Sequence, residues 1–198
     1  KAILDYYRRK GFQEATVNLE ESGGDSQSKE LHIIFRIHEG PQTRVKTVTI
    51  DGNQEISDRK IKRRLITKEN TLFERGYYQP RTVAQDFEKL PSLFNDRGAL
   101  DARAIDHAVD LNDFRDKAHV TFTVEEGPIT RLEAVNFLGA ENFPENRLRK
   151  KLSLSAGDEV SASKIAADKE ALTLFYANHG FPYVAVVGDL QREGNKAT

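Results

Sequence analysis

From Ala118 to Val124 apolar and polar residues alternate without a break. Ala118, Val120, Phe122 and Val124 fall on one side, His119, Thr121 and Thr123 on the other. A period of two predicts a strand with one buried and one wetter face. Leu31, Ile33, Phe35 and Ile37 show the same alternation. Elsewhere the period lengthens. Val83, Phe87, Leu90 and Phe94 follow at helical intervals and predict one amphipathic helix. Pro80 suits its first turn and Gly98 its C-terminal cap. Before it, Arg44 to Asp51 predicts a strand, Asp51-Gly52-Asn53 a turn, and Ile61 and Leu65 a short helix opened by Ser57. Thr67 to Tyr78 reads as a loop. After the long helix, Leu100 to Val109 predicts a ragged, alanine-rich strand. The order is β-α-α-β-β.

That order repeats. Glu39-Gly40-Pro41 returns as Glu126-Gly127-Pro128, a spacing of 87 residues from Gly40 to Gly127. The same step carries Arg44 to Arg131, Val48 to Val135, Gly52 to Gly139, Ile61 to Leu148, Leu65 to Leu152 and Gly11 to Gly98. Turn residues and apolar slots recur together, which marks a tandem array of one supersecondary unit. The repeat predicts the C-terminal half of a unit over 1–40, a complete unit over 41–127, and a unit lacking its last strand over 128–198.

In the first piece, Ile3 and Tyr7 continue a helix stripe that Gly11 ends. Val17 and Leu19 lie in a strand, and Gly23-Gly24-Asp25-Ser26 forms a hairpin loop. The last piece predicts strands over Leu132 to Leu138 and Tyr183 to Leu190, and helices over Pro144 to Leu152 and Ser161 to Asn178, with Gly180 following. Its inter-helix loop is five residues shorter, because Leu90 matches Leu172 at a spacing of 82.

Composition narrows the function classes. The chain has 198 residues, 38% of them hydrophobic, which suffices for small α/β units. Thirty Lys and Arg against 31 Asp and Glu give a net charge of −1, arguing against nucleic acid as partner. Without cysteine there is neither a disulfide framework nor a thiolate metal site, a weak pointer to an oxidising compartment. The start at Lys1, inside a helical pattern, predicts a piece of a longer protein. No P-loop, dinucleotide fingerprint or nucleophile elbow occurs. His32 and His119 occupy equivalent slots and read as structural, and no group has metal-ligand spacing.

These motifs together resemble the POTRA family. The resemblance rests on a strand ending in Gly52-Asn53, two helices, Gly11-Phe12 and Gly180-Phe181 after the second helix, and closing Glu-Gly-Pro triplets. Gly98-Ala99 departs from it by losing the aromatic. Its structural signature comprises Gly40, Pro41, Gly52, Asn53, Gly98, Gly127, Pro128, Gly139 and Gly180. The resemblance implies an α+β fold. Each unit would be a three-stranded mixed sheet with two antiparallel helices on one face, the last strand central and the second at an edge.

It also implies the periplasmic part of an Omp85-superfamily outer-membrane protein, attached to a C-terminal β-barrel, without enzymatic activity or cofactor. Its partners would be unfolded outer-membrane proteins and accessory assembly proteins. The branch stays open between barrel assembly and translocation-and-assembly; three units disfavour two-partner secretion.

An edge strand can template an incoming strand. The candidate peptide-binding residues are therefore Leu100, Ala102, Arg103, Ala104, Ile105, His107 and Ala108, with Val83, Phe87 and Pro91 lining a groove on the adjoining helix. Asp101, Arg103, Asp106 and Asp110 give the opposite reading, an edge protected by charge. Pro91, inside the helix, predicts a kink or break. Lys62-Arg63-Arg64 and Arg149-Lys150-Lys151 fit a solvated helix back better than weak membrane-surface contact. Tyr78 reads as core and Phe73 as a contact residue. The function expected is capture of β-strand segments; the alternative is an architectural spacer or scaffold.

Overall fold

The computed structural model describes residues 1–23 and 31–198, with side chains described outside 21–32. Most of the expected Gly23–Ser26 loop and the His32 side chain lie outside the described residues. The chain forms two compact bodies. One comprises Lys1–Asp51, Asp58–Glu88 and Ile105–Thr123, the other Gly52–Ser57, Lys89–Ala104 and Val124–Thr198.

In the first body, α1 (Ala2–Arg9) leads to the antiparallel pair β1 (Thr16–Gly23) and β2 (Leu31–His38), in register from Thr16↔His38 to Gly23↔Leu31. Leu19, Ile33, Phe35 and Ile37 of this hairpin are exposed. Along the chain there follow β3 (Arg44–Asp51) and the short helix α2 (Asp58–Lys62), both in this body, and then α3 (Pro80–Asn95), β4 (Arg103–Leu111) and β5 (Lys117–Glu125), each of which has residues in both bodies. The sheet order is β3-β5-β4, with β3 and β5 parallel. The last strand of the unit is thus central and the second lies at an edge.

Val45 and Val48 are both buried although they stand three residues apart. A register shift between Val45 and Thr47 explains this, since one extra residue returns both valines to the core face. Ala118, Val120, Phe122 and Val124 are buried along β5, as the alternation predicts.

Of the kink or break expected at Pro91, the break does not occur. Helix α3 runs through it to Asn95. Leu90 and Phe94, on either side, are completely buried. Their removal from water outweighs the one hydrogen bond that proline deletes.

In the second body, β6 (Arg131–Leu132), α4 (Glu145–Arg149), α5 (Ala162–Ala177), β7 (Arg192–Glu193) and β8 (Lys196–Ala197) repeat the plan in reduced form. Ser161 caps α5 by accepting from the Lys164 N–H at 3.2 Å. The order β6-β8-β7 matches β3-β5-β4, with β6 and β8 parallel and β7 and β8 antiparallel. Residue pair 196–197 therefore stands where the last strand was expected to be missing.

The strands expected over Leu132–Leu138 and Tyr183–Leu190 are not formed. A two-residue central strand offers ladder partners only to Arg131–Leu132 and Arg192–Glu193. The side-chain alternation survives without the ladder. Val135, Phe137, Val184, Val186 and Leu190 pack on the helix core, while Leu138, Tyr183 and Val187 are exposed. These two segments and the helices line a solvent-open cleft of about 490 Å³.

One buried carboxylate recurs. Asp86 of α3 accepts from the Ile66 and Thr67 N–H groups, both at 2.7 Å. Asp168 of α5 accepts from Ser153 at 2.7 Å and Leu154 at 3.1 Å. In each case the second helix closes the chain end of the first. Removing an acceptor from buried donors costs about 2 kcal/mol. Asp86→Ala and Asp168→Ala are each expected to lower the urea unfolding free energy by about that amount, with Asn in either place costing less, since it keeps one acceptor.

Candidate functional site: the edge strand and the repeat junctions

Among the described residues, strand β4 pairs on one side only, with β5. Five of the seven edge candidates, Arg103, Ala104, Ile105, His107 and Ala108, lie in it. Leu100 and Ala102 do not. Leu100 packs against the cluster of Leu132, Leu154, Val160 and Ala197, and Ala102 is buried. They belong to the turn after α3, whose hydrogen bonds Leu100 N–H to Gly98 O and Ala102 N–H to Ala99 O delay the strand.

Val83, expected to line a groove, is buried in the core. Phe87 does reach the strand, its ring 4.7 Å from the His107 imidazole and tilted by 38°. Pro91 is only partly buried. The accessible surface here is thus the pair Phe87–His107 flanked by exposed Ile105 and Ala108. The Asp106 carboxylate accepts from the His107 N–H at 2.8 Å. A backbone donor on the edge strand is therefore occupied by the strand's own acid, which supports the protective reading of the charges. Exposed Arg103 and Asp110 add to that protection.

The other candidates sort as follows. His119 Nδ1 lies 2.8 Å from the Thr47 Oγ1, a cross-strand contact consistent with a structural role. No group of three His, Cys, Asp or Glu side chains among the described residues could hold a metal. Tyr78 is partly buried, and burial pushes its hydroxyl pKa up. Arg149 donates to the Val135 carbonyl at 2.7 Å and to Glu145 at 3.2 Å, while Lys62 pairs with Glu69 at 3.2 Å. Val48 N–H, followed by Lys62, holds the Glu69 carboxyl below the usual range. The basic clusters are thus partly engaged within the fold.

A second feature lies where one repeat meets the next. Thr43 N–H donates to Gly11 O at 2.9 Å, and the Thr43 carbonyl accepts from the Tyr78 N–H at 3.0 Å. Eighty-seven residues on, Thr130 N–H donates to Gly98 O at 2.7 Å, and its carbonyl accepts from the Val160 N–H at 3.0 Å. Gly11 and Gly98 both have φ of +89°, and a Cβ there would lie 2.6 Å from Thr43 O or 2.9 Å from Thr130 O. Only glycine permits both that backbone angle and that approach.

An ion pair recurs beside each glycine. Arg115 meets Glu14 at 2.7 Å, and Arg192 forks onto Asp101, Nη1 reaching Oδ1 at 2.8 Å and Nη2 reaching Oδ2. Glu14 and Asp101 are themselves 87 residues apart.

The triplet glutamate Glu126 is buried and accepts from the N–H groups of Gln54, Glu55 and Ile56, the last at 3.0 Å. It ties the Glu-Gly-Pro signature to the turn after β3, where Asn53 also donates to the Ile56 carbonyl at 2.7 Å. Sequence reasoning noticed the triplet but not this role. It also missed Asp86 and Asp168, although their spacing of 82 matches that of Leu90 and Leu172.

The fold and these junctions define a tandem array of β-α-α-β-β units. The POTRA family model, described as surface antigen variable number repeat, matches residues 43–127 and 130–198, and the chain belongs to that family. It is 29% identical over 142 residues to the outer membrane protein assembly factor BamA of Neisseria meningitidis, covering 69% of this chain and 18% of that protein. It is 23% identical over 204 residues to BamA of Nitratidesulfovibrio vulgaris, covering 98% of this chain and 25% of that protein. The chain thus spans a quarter or less of these curated relatives. Among solved structures, BamA from Haemophilus ducreyi lacking POTRA domains 1–3 superposes with a TM-score of 0.53 at 18% identity, over 78% of this chain and 28% of that one. That likeness supports the fold.

The Arg192 fork holds the Asp101 carboxyl below the ordinary range. A carboxyl whose folded pKa is depressed stabilises the fold above its unfolded pKa and loses that contribution as pH falls through the folded one. Carbon-detected NMR titration is expected to find Asp101 ionising below a free aspartate. Arg192→Gln should return it to the ordinary range; an unchanged midpoint would mean the fork is not formed in solution.

Proposed function

We propose that this chain is part of the periplasmic arm of an Omp85-type outer-membrane assembly protein, where it holds extended segments of unfolded outer-membrane proteins by pairing them with β4. The observation that carries this reading is the one-sided strand Arg103–Leu111, with Ile105 exposed and an aromatic–imidazole pair beside it. Membership of the POTRA family and relatives named as outer membrane protein assembly factors support the setting. Strand pairing draws its affinity from main-chain hydrogen bonds and tolerates many side chains. That suits weak, general capture. Asp106 makes it conditional, since an incoming carbonyl must displace a carboxylate from the His107 N–H. A C-terminal β-barrel and accessory assembly proteins complete the reading.

A specific observation favours the second reading, an architectural spacer. The two junctions are built alike, from a glycine–threonine backbone bond and an acid–arginine pair. Reproduced joints fix spacing whether or not anything binds the strand.

Amide NMR titration with peptides of alternating apolar pattern separates the two. Capture is expected to perturb residues 103–111 and Phe87, and Asp106→Ala should strengthen binding by freeing the His107 N–H. Silence of both proteins at millimolar peptide would leave the spacer reading.

A further inference from the structure

The loop between α2 and α3 is longer than its counterpart by five residues, and it is firmly tied. Asn70 N–H donates to Val45 O at 2.7 Å, and Val45 N–H donates to Gly76 O at 2.8 Å, so strand β3 holds both ends of the loop. At the tip, Thr71 N–H donates to Glu74 O at 2.8 Å. The Thr71 hydroxyl accepts from the N–H groups of Phe73 at 3.3 Å and Glu74 at 3.0 Å. The turn is closed by its own hydrogen bonds, yet it carries Leu72 at 97% and Phe73 at 100% exposure. Two adjacent large apolar side chains held wholly in water by an ordered turn are not filling a core.

The neighbourhood is cationic. Arg59, Lys62, Arg63 and Lys68 share a cleft with Thr71 and Glu74 at the foot of this tip. Of the acids nearby, Glu69 is turned inward onto the Val48 N–H and Lys62. Lys68 spans the carbonyls of Lys62 and Arg63 at 3.1 and 3.0 Å, fixing the helix end that carries those cations. Asp58 and Glu74 offset part of the charge and leave the cations in excess.

We propose that Leu72 and Phe73 seat in an anionic lipid surface, with Arg59, Lys62 and Arg63 against its headgroups. A bilayer bearing acidic headgroups supplies both complements at once, apolar depth for the tip and negative charge for its base. The tip itself projects, and among the charged side chains of the cleft at its foot the cations outnumber the acids four to three. Two side chains and a few cations make a weak contact, effective when the chain is held close to the membrane. The inference goes beyond strand capture and does not depend on it.

The test uses the full 198-residue chain with Phe73→Trp as the reporter, the sequence having no tryptophan of its own. Vesicles of equal parts phosphatidylglycerol and phosphatidylcholine are expected to blue-shift its emission. Pure phosphatidylcholine or molar salt should weaken partitioning by about tenfold. In vesicle co-sedimentation, Leu72→Ser with Phe73→Ser should abolish binding, and Arg59→Glu with Arg63→Glu should reduce it by about tenfold, each with an unchanged amide NMR spectrum elsewhere. Emission unmoved at millimolar anionic lipid would overturn the proposal. So would equal sedimentation of the double-serine variant. A blue shift produced only by added protein would reassign the tip to a protein partner and also overturn it.

Discussion

The central strand is the constraint on which the other elements depend. In a sheet ordered first, last, second, the last strand carries the ladder of both neighbours. Where it is long, as Lys117–Glu125, both flanking strands form over eight or nine residues. Where it is two residues, Lys196–Ala197, both shrink to two. The side chains of residues 133–138 and 183–190 still find their apolar contacts, so hydrophobic burial alone does not make a strand. A backbone with no partner keeps its groups for water. The edge position of β4 follows from the same order. A three-stranded sheet with its last strand in the middle must leave the second strand half-paired.

Around that sheet, the chain solves the same local problems with the same chemistry each time. The segment that follows each short helix carries N–H donors with no ladder partner, and a carboxylate from the next helix takes two of them, Asp86 in one unit and Asp168 in the other. The turn after the first strand leaves three more, which Glu126 takes. Junctions need close backbone approach, and Gly11 and Gly98 provide it. The acid–arginine pairs at these junctions are exposed and contribute little stability singly. Beside a backbone bond that already fixes the approach, they restrict rotation more than they add energy.

Much of this was legible in the residues. Period and turn chemistry placed α5 to within a residue at each end, because Ser161 and Gly180 punctuate a long apolar pattern. The 87-residue step relates Gly11 to Gly98 and Thr43 to Thr130, the residues whose backbone bonds recur. What escaped had physical causes. The bulge in β3 was written in the three-residue gap between Val45 and Val48, but a gap in alternation is ambiguous until a partner strand sets the register. Pro91 does not break its helix, since Leu90 and Phe94 around it are buried in the core. Leu100 looked like a strand residue because it is apolar and follows a glycine cap, yet its partners come from the next unit. No pattern within one unit could have indicated that.

The candidate edge shows why a site of this kind is hard to read from composition. An exposed strand that binds extended chains must not bind copies of itself, and a mild barrier meets both needs. Asp106 provides one by occupying the His107 N–H, a bond within one strand that competes with any incoming carbonyl. Under the proposed capture, the same acid would also make pairing reversible. Removing it would raise affinity for client and copy together, so the charge sets a balance between capture and self-association that neither an apolar edge nor a fully capped one could hold.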